Sequence, residues 1–241
     1  MKNKPILILL IALTLFAFPI QSPMAQTGRM EPTVTQTQNG DGTMTRSVFE
    51  GSRLIEKMIV DMAGKPLEVQ EYEEGNLILT TKTIYGDNGQ PVKTETWDED
   101  SYLIAESGHD ENGTMRLKRK YRIDGKVKME TEFNEAGKAV VTHHYKYDRK
   151  DFKQREWKTT EHREDGSYSE ITYTEYGDLW EVTDYDPNHL RTKSTWFNWD
   201  GTRTETSYDE KGRPLRSERR DDQGAPVGAT HHDFESEERF I

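Results

Sequence analysis

The 241-residue sequence contains no cysteine, few aliphatic residues and, after its opening segment, no long apolar run. Without cysteine there is no disulfide framework, no lipid-modified cysteine anchor, no thiol nucleophile and no thiolate metal site. Nucleotide and hydrolase signatures are missing too, since neither a phosphate loop nor a Gly-x-Ser-x-Gly elbow occurs. Leu, Ile, Val and Phe together make up only about 15% of the chain after residue 25, below the level at which a packed aliphatic core is expected. The composition alone points toward disorder.

The opening segment has a different character. Lys2 and Lys4 precede the apolar stretch Ile6 to Phe18, Pro19 ends it, and small or polar residues close it near Ala25. This is the pattern of a secretory signal peptide over residues 1–25, too short for a spanning helix. The expected location is periplasmic or secreted, with no stable membrane insertion once the signal is removed. The formal net charge is −11, and Lys and Arg are interleaved with Asp and Glu. A nucleic-acid partner, which needs a basic patch to neutralise phosphates, is excluded as an expectation.

Periodicity argues against disorder. In "KVKMETEF", Val127, Met129, Thr131 and Phe133 alternate with Lys126, Lys128, Glu130 and Glu132, as in a strand with one face wet. Five Trp and eleven Tyr support such segments. Glycines at 64, 75, 89, 113, 125, 137, 166, 177, 201, 212 and 224 are mostly spaced by eleven to fourteen residues or twice that, enough for one strand and one turn. Asn88-Gly89, Asn112-Gly113, Asp124-Gly125, Asp165-Gly166 and Asp200-Gly201 favour tight hairpin turns whose twist matches the strands. No helical period follows residue 44. An aromatic precedes Asp or Asn at Trp97-Asp98, Phe133-Asn134, Tyr147-Asp148, Tyr185-Asp186, Trp199-Asp200 and Tyr208-Asp209, which reads as a strand-exit device.

The expected architecture is all-β: a long antiparallel meander of about fifteen short strands with tight glycine turns, twisted or curled into a shell or open barrel. The domain order read from the sequence is signal peptide 1–25, flexible leader 26–43, one β-repeat domain 44–235 and an acidic tail 236–241. A membrane barrel fits poorly, because "FKQREWKTTEHRE" has no uncharged side to face lipid.

The stretch "YDEKGRPLRSERRDDQG" resembles the tyrosine-aspartate (YD) repeat of RHS-type bacterial surface proteins at Tyr208, Asp209, Gly212, Arg213 and Leu215. "YGDNGQPV", "HDENGTM" and "FNEAGKAV" are similar, weaker copies. The resemblance implies an antiparallel β-meander outside the cytoplasm. The boundary motif that precedes a toxin domain in that family is not found in this sequence.

No catalytic constellation stands out, and neither a cofactor nor a metal site is expected. His143-His144 and His231-His232 would point to opposite faces of a strand and could not chelate through both rings. The acidic stretches at 39–42 and 110–113 lack the ligand spacing of a calcium loop. The binding candidates are Trp196, Phe197 and Trp199 in "STWFNWDG", with Phe197 and Trp199 on one face and Trp196 on the other. An aromatic core on both faces is the plainer use of these rings. The expected function is a non-catalytic envelope or surface protein that binds or scaffolds a protein or glycan. The alternative is an exported carbohydrate hydrolase with an unrecognised carboxylate pair.

Overall fold

The computed structural model describes residues 31–148 and 153–232. The segments expected to be a signal peptide and an acidic tail lie outside the described residues. All strands belong to the unit Pro32–Ile241. They are β1 (Thr33–Gln38), β2 (Met44–Glu50), β3 (Arg53–Val60), β4 (Pro66–Glu73), β5 (Asn76–Tyr85), β6 (Pro91–Asp98), β7 (Leu103–His109), β8 (Met115–Tyr121), β9 (Val127–Phe133), β10 (Ala139–Tyr147), β11 (Gln154–His162), β12 (Tyr168–Tyr173), β13 (Leu179–Tyr185), β14 (Arg191–Phe197), β15 (Arg203–Tyr208), β16 (Pro214–Arg220) and β17 (Pro226–His231). The sheet therefore begins at Thr33, inside the stretch read from the sequence as a leader.

Each strand pairs antiparallel with its successor from β1 to β17. Among the described residues, packing between strands runs only between sequence neighbours. The result is an open, single-layer meander whose two faces are not covered by any second sheet or helix among the described residues. That explains the shortage of aliphatic residues: among the described residues, the only apolar one that counts as buried is Val60, at 6% exposure.

The hairpins share one construction. In the turn at Asp209, the Gly212 N–H donates to Asp209 O at 2.9 Å and the Asp209 N–H donates to Arg213 O at 2.8 Å. The Asp209 carboxylate accepts the N–H groups of Lys211 and Arg213 at 2.9 and 2.8 Å. Gly212 has φ +74°, the left-handed conformation that closes a three-residue hairpin loop. Asp61, Asp98, Asp110, Asn134, Asp186 and Asp221 occupy the same first position. Where another residue starts the turn, the acceptor moves two places on, as at Asp124, Asp165 and Asp200. The Asp-Gly and Asn-Gly dipeptides are thus the last two residues of this three-residue loop, not a complete two-residue loop.

Several side chains at strand exits lie over their own face. On one face a row of small hydroxyl and polar residues crosses the strands in register, including Thr94, Ser107, Thr131, Thr142, Thr160, Thr183, Ser194, Thr206 and Ser217. Ring-bearing side chains lie over it: His109 bonds Ser107 at 3.0 Å, His162 bonds Thr142 at 3.2 Å, Tyr208 bonds Ser194 at 3.0 Å and His232 bonds Ser217 at 3.0 Å. Ser194 is left only 1% exposed. Small residues are needed there because a ring can lie flat only over short neighbours, and hydroxyls satisfy one another beneath it. This is the hydroxyl face.

The opposite, ionic face carries Lys82, Glu95, Glu106, Arg119, Glu130 and His143 in register. Its strand-exit residues include Tyr72, Trp97, Tyr121, Tyr147, Tyr173 and Phe197. Consecutive strands exit at opposite ends of the sheet, so the two ring rows fall on opposite faces and at opposite ends.

Candidate functional site

The three rings singled out in "STWFNWDG" do not form one cluster. Trp196 pairs with Glu181 and Thr204 on the hydroxyl face, while Phe197 pairs with Arg203 on the ionic face. Trp199 lies in the turn that begins at Asn198 and is 74% exposed. Strand alternation stops at Phe197, so the expectation that Phe197 and Trp199 share a face fails. Trp199-Asp200 is likewise no strand exit; Phe197-Asn198 takes that place.

Trp196, 41% exposed, instead meets Trp180 edge to face at 5.4 Å between ring centroids. Trp180, Asn198, Trp199, Asp200, Thr204 and Arg219 line one shallow groove open to solvent. Arg219 donates to the Asp200 carboxylate at 2.7 Å, tying the groove rim to the turn. Hydrogen bonds from Thr202 hold the Asp200 carboxyl below its usual range, so it stays charged and able to accept.

A second aromatic site lies on the same half-face, toward β10 and β11. Trp157 makes an edge contact with His144 at 6.0 Å, and the Lys146 ammonium sits 4.0 Å from the Trp157 ring centroid. Burial and the neighbouring Lys158 push the His144 imidazole below its ordinary value, which favours its neutral form at pH 7. Both sites belong to one register row: His144, Lys158, Thr172, Glu181, Trp196, Thr204 and Arg219. Neighbouring strands lie about 4.8 Å apart, so the two aromatic sites stand along one row of the face with Lys158, Thr172 and Glu181 between them.

Trp157 and Trp180 escape a reading based on strict alternation because each sits where the register slips, at His144/Tyr145 and Thr172/Tyr173. The extra residue of a β-bulge re-aims a side chain that alternation would place elsewhere. The signal was present: Leu67, Val92, Val140, Trp180, Leu215 and Val227 all stand three residues after a turn glycine, at a register shift.

Among the described residues, much of the ionic face is engaged with itself. Glu106 accepts from Lys93 at 3.2 Å, Arg119 at 3.1 Å and Tyr121 at 2.6 Å. Burial raises the Glu106 carboxyl, but those donors outweigh it and leave it below its usual range. The Tyr121 phenol is pushed up to about 12, by burial and then by Glu106. His143 bonds Glu156 at 2.6 Å on this face, whereas His144 is on the other, as the strand period requires. Among the described residues, no group of three acidic or imidazole side chains comes close enough to hold a metal ion.

No protein-family model matches the chain, and no curated protein matches it. Among solved structures, a mutant of S. aureus TarM in complex with Fondaparinux, alpha-GlcNAc-glycerol and UDP overlaps 51% of this chain and 21% of its own, at 7% identity and TM-score 0.27. A GtfA/B complex bound to UDP and GlcNAc overlaps 49% and 22%, at 15% identity and TM-score 0.29. The chain thus spans about a fifth of the length of these proteins. Likeness at this level identifies neither a fold family nor an activity.

Proposed function

We propose that the protein is a non-catalytic binding protein, exported to the periplasm or the cell exterior, that holds an envelope glycan against the tryptophan-bearing half of its hydroxyl face. The observation that carries this reading is the placement of Trp157, Trp180, Trp196 and Trp199 toward one end of that face and its adjoining turn, beside Lys146, Thr204 and Arg219. Pyranose rings present apolar C–H faces that stack on indoles, and their hydroxyls bond the polar groups around them. An open, solvent-facing groove suits an extended chain of sugars, whereas a small molecule needs an enclosed pocket.

A hydrolase would need one carboxyl raised to act as acid, within a concave site opposite a second. On this protein burial pushes the carboxyls of Glu106, Asp184 and Glu205 upward, but hydrogen bonds and nearby cations outweigh it and draw all three below their usual range. Glu181, the carboxylate closest in register to Trp196, accepts a hydrogen bond from Thr183 at 2.9 Å. These features favour binding over turnover. A protein partner is the second reading, favoured by Arg219 beside the exposed indoles, since tryptophan and arginine dominate protein interfaces.

Calorimetric titration with fragments of envelope polysaccharide tests the proposal. Trp180→Ala and Trp196→Ala should each weaken binding by about 2 kcal/mol, roughly thirtyfold, with the thermal melt nearly unchanged for the more exposed Trp196. Glycan turnover that disappears in Glu181→Gln would replace binding by hydrolysis. Capture of an envelope protein, lost in the same tryptophan variants without any glycan affinity, would favour the protein partner.

A further inference from the structure

Among the described residues the open sheet ends in two unpaired edges, β1 and β17, and both strands are exposed throughout. Exposed edges are normally blunted with charged side chains or proline. Here the pattern is inverted. Every strand from β2 to β16 carries at least one Asp, Glu, Lys or Arg, and only the two edge strands, "TVTQTQ" and "PVGATH", carry none. β17 is partly blunted by Pro226 at its start and Gly228 within it. β1 has neither proline nor glycine, and its alternating Thr and Val or Gln residues favour an extended pairing strand.

The direction of pairing follows from the strand number. With seventeen strands in a meander, β1 and β17 run the same way. Joining β17 of one copy to β1 of the next, with the hydroxyl faces on one side, would make a parallel pair. Joining β1 to β1 about a twofold axis perpendicular to the sheet continues the antiparallel ladder and keeps the faces matched.

The register is also defined. The Asn39 N–H donates inward to Thr43 O at 2.8 Å, so alternate residues Thr37, Thr35 and Thr33 also bond inward to β2. The backbone groups of Val34, Gln36 and Gln38 therefore point outward. Only a register centred on Gln36 opposes all of them at once: Gln36 against Gln36, and Val34 against Gln38 in both directions. The same register sets Thr35 against Thr37, so the strand is self-complementary and brings no like charges together.

We propose that β1 is a homodimerisation edge, pairing antiparallel with β1 of a second copy about a twofold axis at Gln36. The pair joins two sheets into one and doubles the exposed tryptophan sites on a common face. A single strand pair is smaller than the standard interface of about 1,600 Å², so the dimer is weak and concentration-dependent.

Sedimentation velocity on the purified chain, over about a hundredfold concentration range, should show a monomer–dimer equilibrium. Gln36→Pro removes an outward N–H without breaking the ladder to β2, and should leave a monomer with an unchanged circular dichroism spectrum. Ala229→Pro, the outward position on β17, should dimerise like the parent. Because the chain has no cysteine, Gln36→Cys should give a disulfide-linked dimer under mild oxidation, at a Cα separation of about 5.5 Å that a disulfide can span, and this readout holds even if the proline variant misfolds. Ala229→Cys should give none. A parent chain that stays monomeric, a dimer that survives Gln36→Pro, or oxidative crosslinking of Ala229→Cys in place of Gln36→Cys would overturn the proposal.

Discussion

Replacing Gly125 separates the cost of backbone strain from that of lost packing. Gly125 has φ +75°, its N–H bonds Arg122 O at 2.9 Å, and a Cβ built there meets nothing within 4 Å. A side chain at this site adds no clash, so the loss reports backbone strain alone. An L-residue in the left-handed region costs about 1–2 kcal/mol, and a β-branched one up to about 3. Alanine regains about 0.4–1 kcal/mol by restricting the unfolded chain, which leaves a net loss of about 1 kcal/mol for Gly125→Ala and roughly 2 for Gly125→Val. Gly125→Asn should lose least, because asparagine tolerates this region. Gly40, in the β1–β2 turn, provides the control: its φ is not positive and a Cβ there is also free of contacts, so Gly40→Val should be near neutral. Urea unfolding followed by circular dichroism, with the slope checked for constancy, reads these differences. Equal losses at 40 and 125, or an Asn variant as unstable as the Val variant, would refute the strain argument.

At Gly201, φ is +79° and the nearest contact for a new Cβ is Asp222 at 3.5 Å, so Gly201→Val should match Gly125→Val within about 1 kcal/mol in the same assay. Tyr208→Phe, which strips the hydroxyl partner from buried Ser194, should cost about 1 kcal/mol, and Ser194→Leu about 1–3 because the Tyr208 ring can no longer lie flat; thermal melts compare them. The Glu106 carboxyl is lower in the folded chain than in the unfolded one, so its contribution is present above the ordinary carboxylate value and lost as pH falls through the lowered one; Glu106→Gln should flatten the acid limb of stability against pH. The Tyr121 phenol is raised from 10 to about 12, so its contribution is intact below pH 10 and lost as pH rises toward 12, and Tyr121→Phe should remove that alkaline loss in the same titration.

The sequence by itself determined the class and rhythm of the fold. Turn glycines at regular spacing, with Asp or Asn at the first or third loop position, define hairpins locally because both the left-handed φ and the carboxylate caps are short-range effects. Alternation in β9 put Val127, Met129, Thr131 and Phe133 on one face, and the structure keeps Met129, Thr131 and Phe133 there, whereas a register slip at Lys128 turns Val127 to the ionic face opposite Tyr121. The same local logic placed His143 and His144 on opposite faces. What only the tertiary structure decided is how the strands meet. A meander of half-apolar strands can close, double over or stay flat, and the single layer arises because each face covers itself, with Tyr208 over Ser194 and Tyr121 over Glu106. The aromatic sites were hidden for a related reason. Trp180 joins Trp196 only because an extra residue between Leu179 and Glu181 slips the register, and Trp199 leaves the strand pattern because the turn starts at Asn198. Register is a property of two strands together, so no pattern within one of them specifies which side a bulged residue faces.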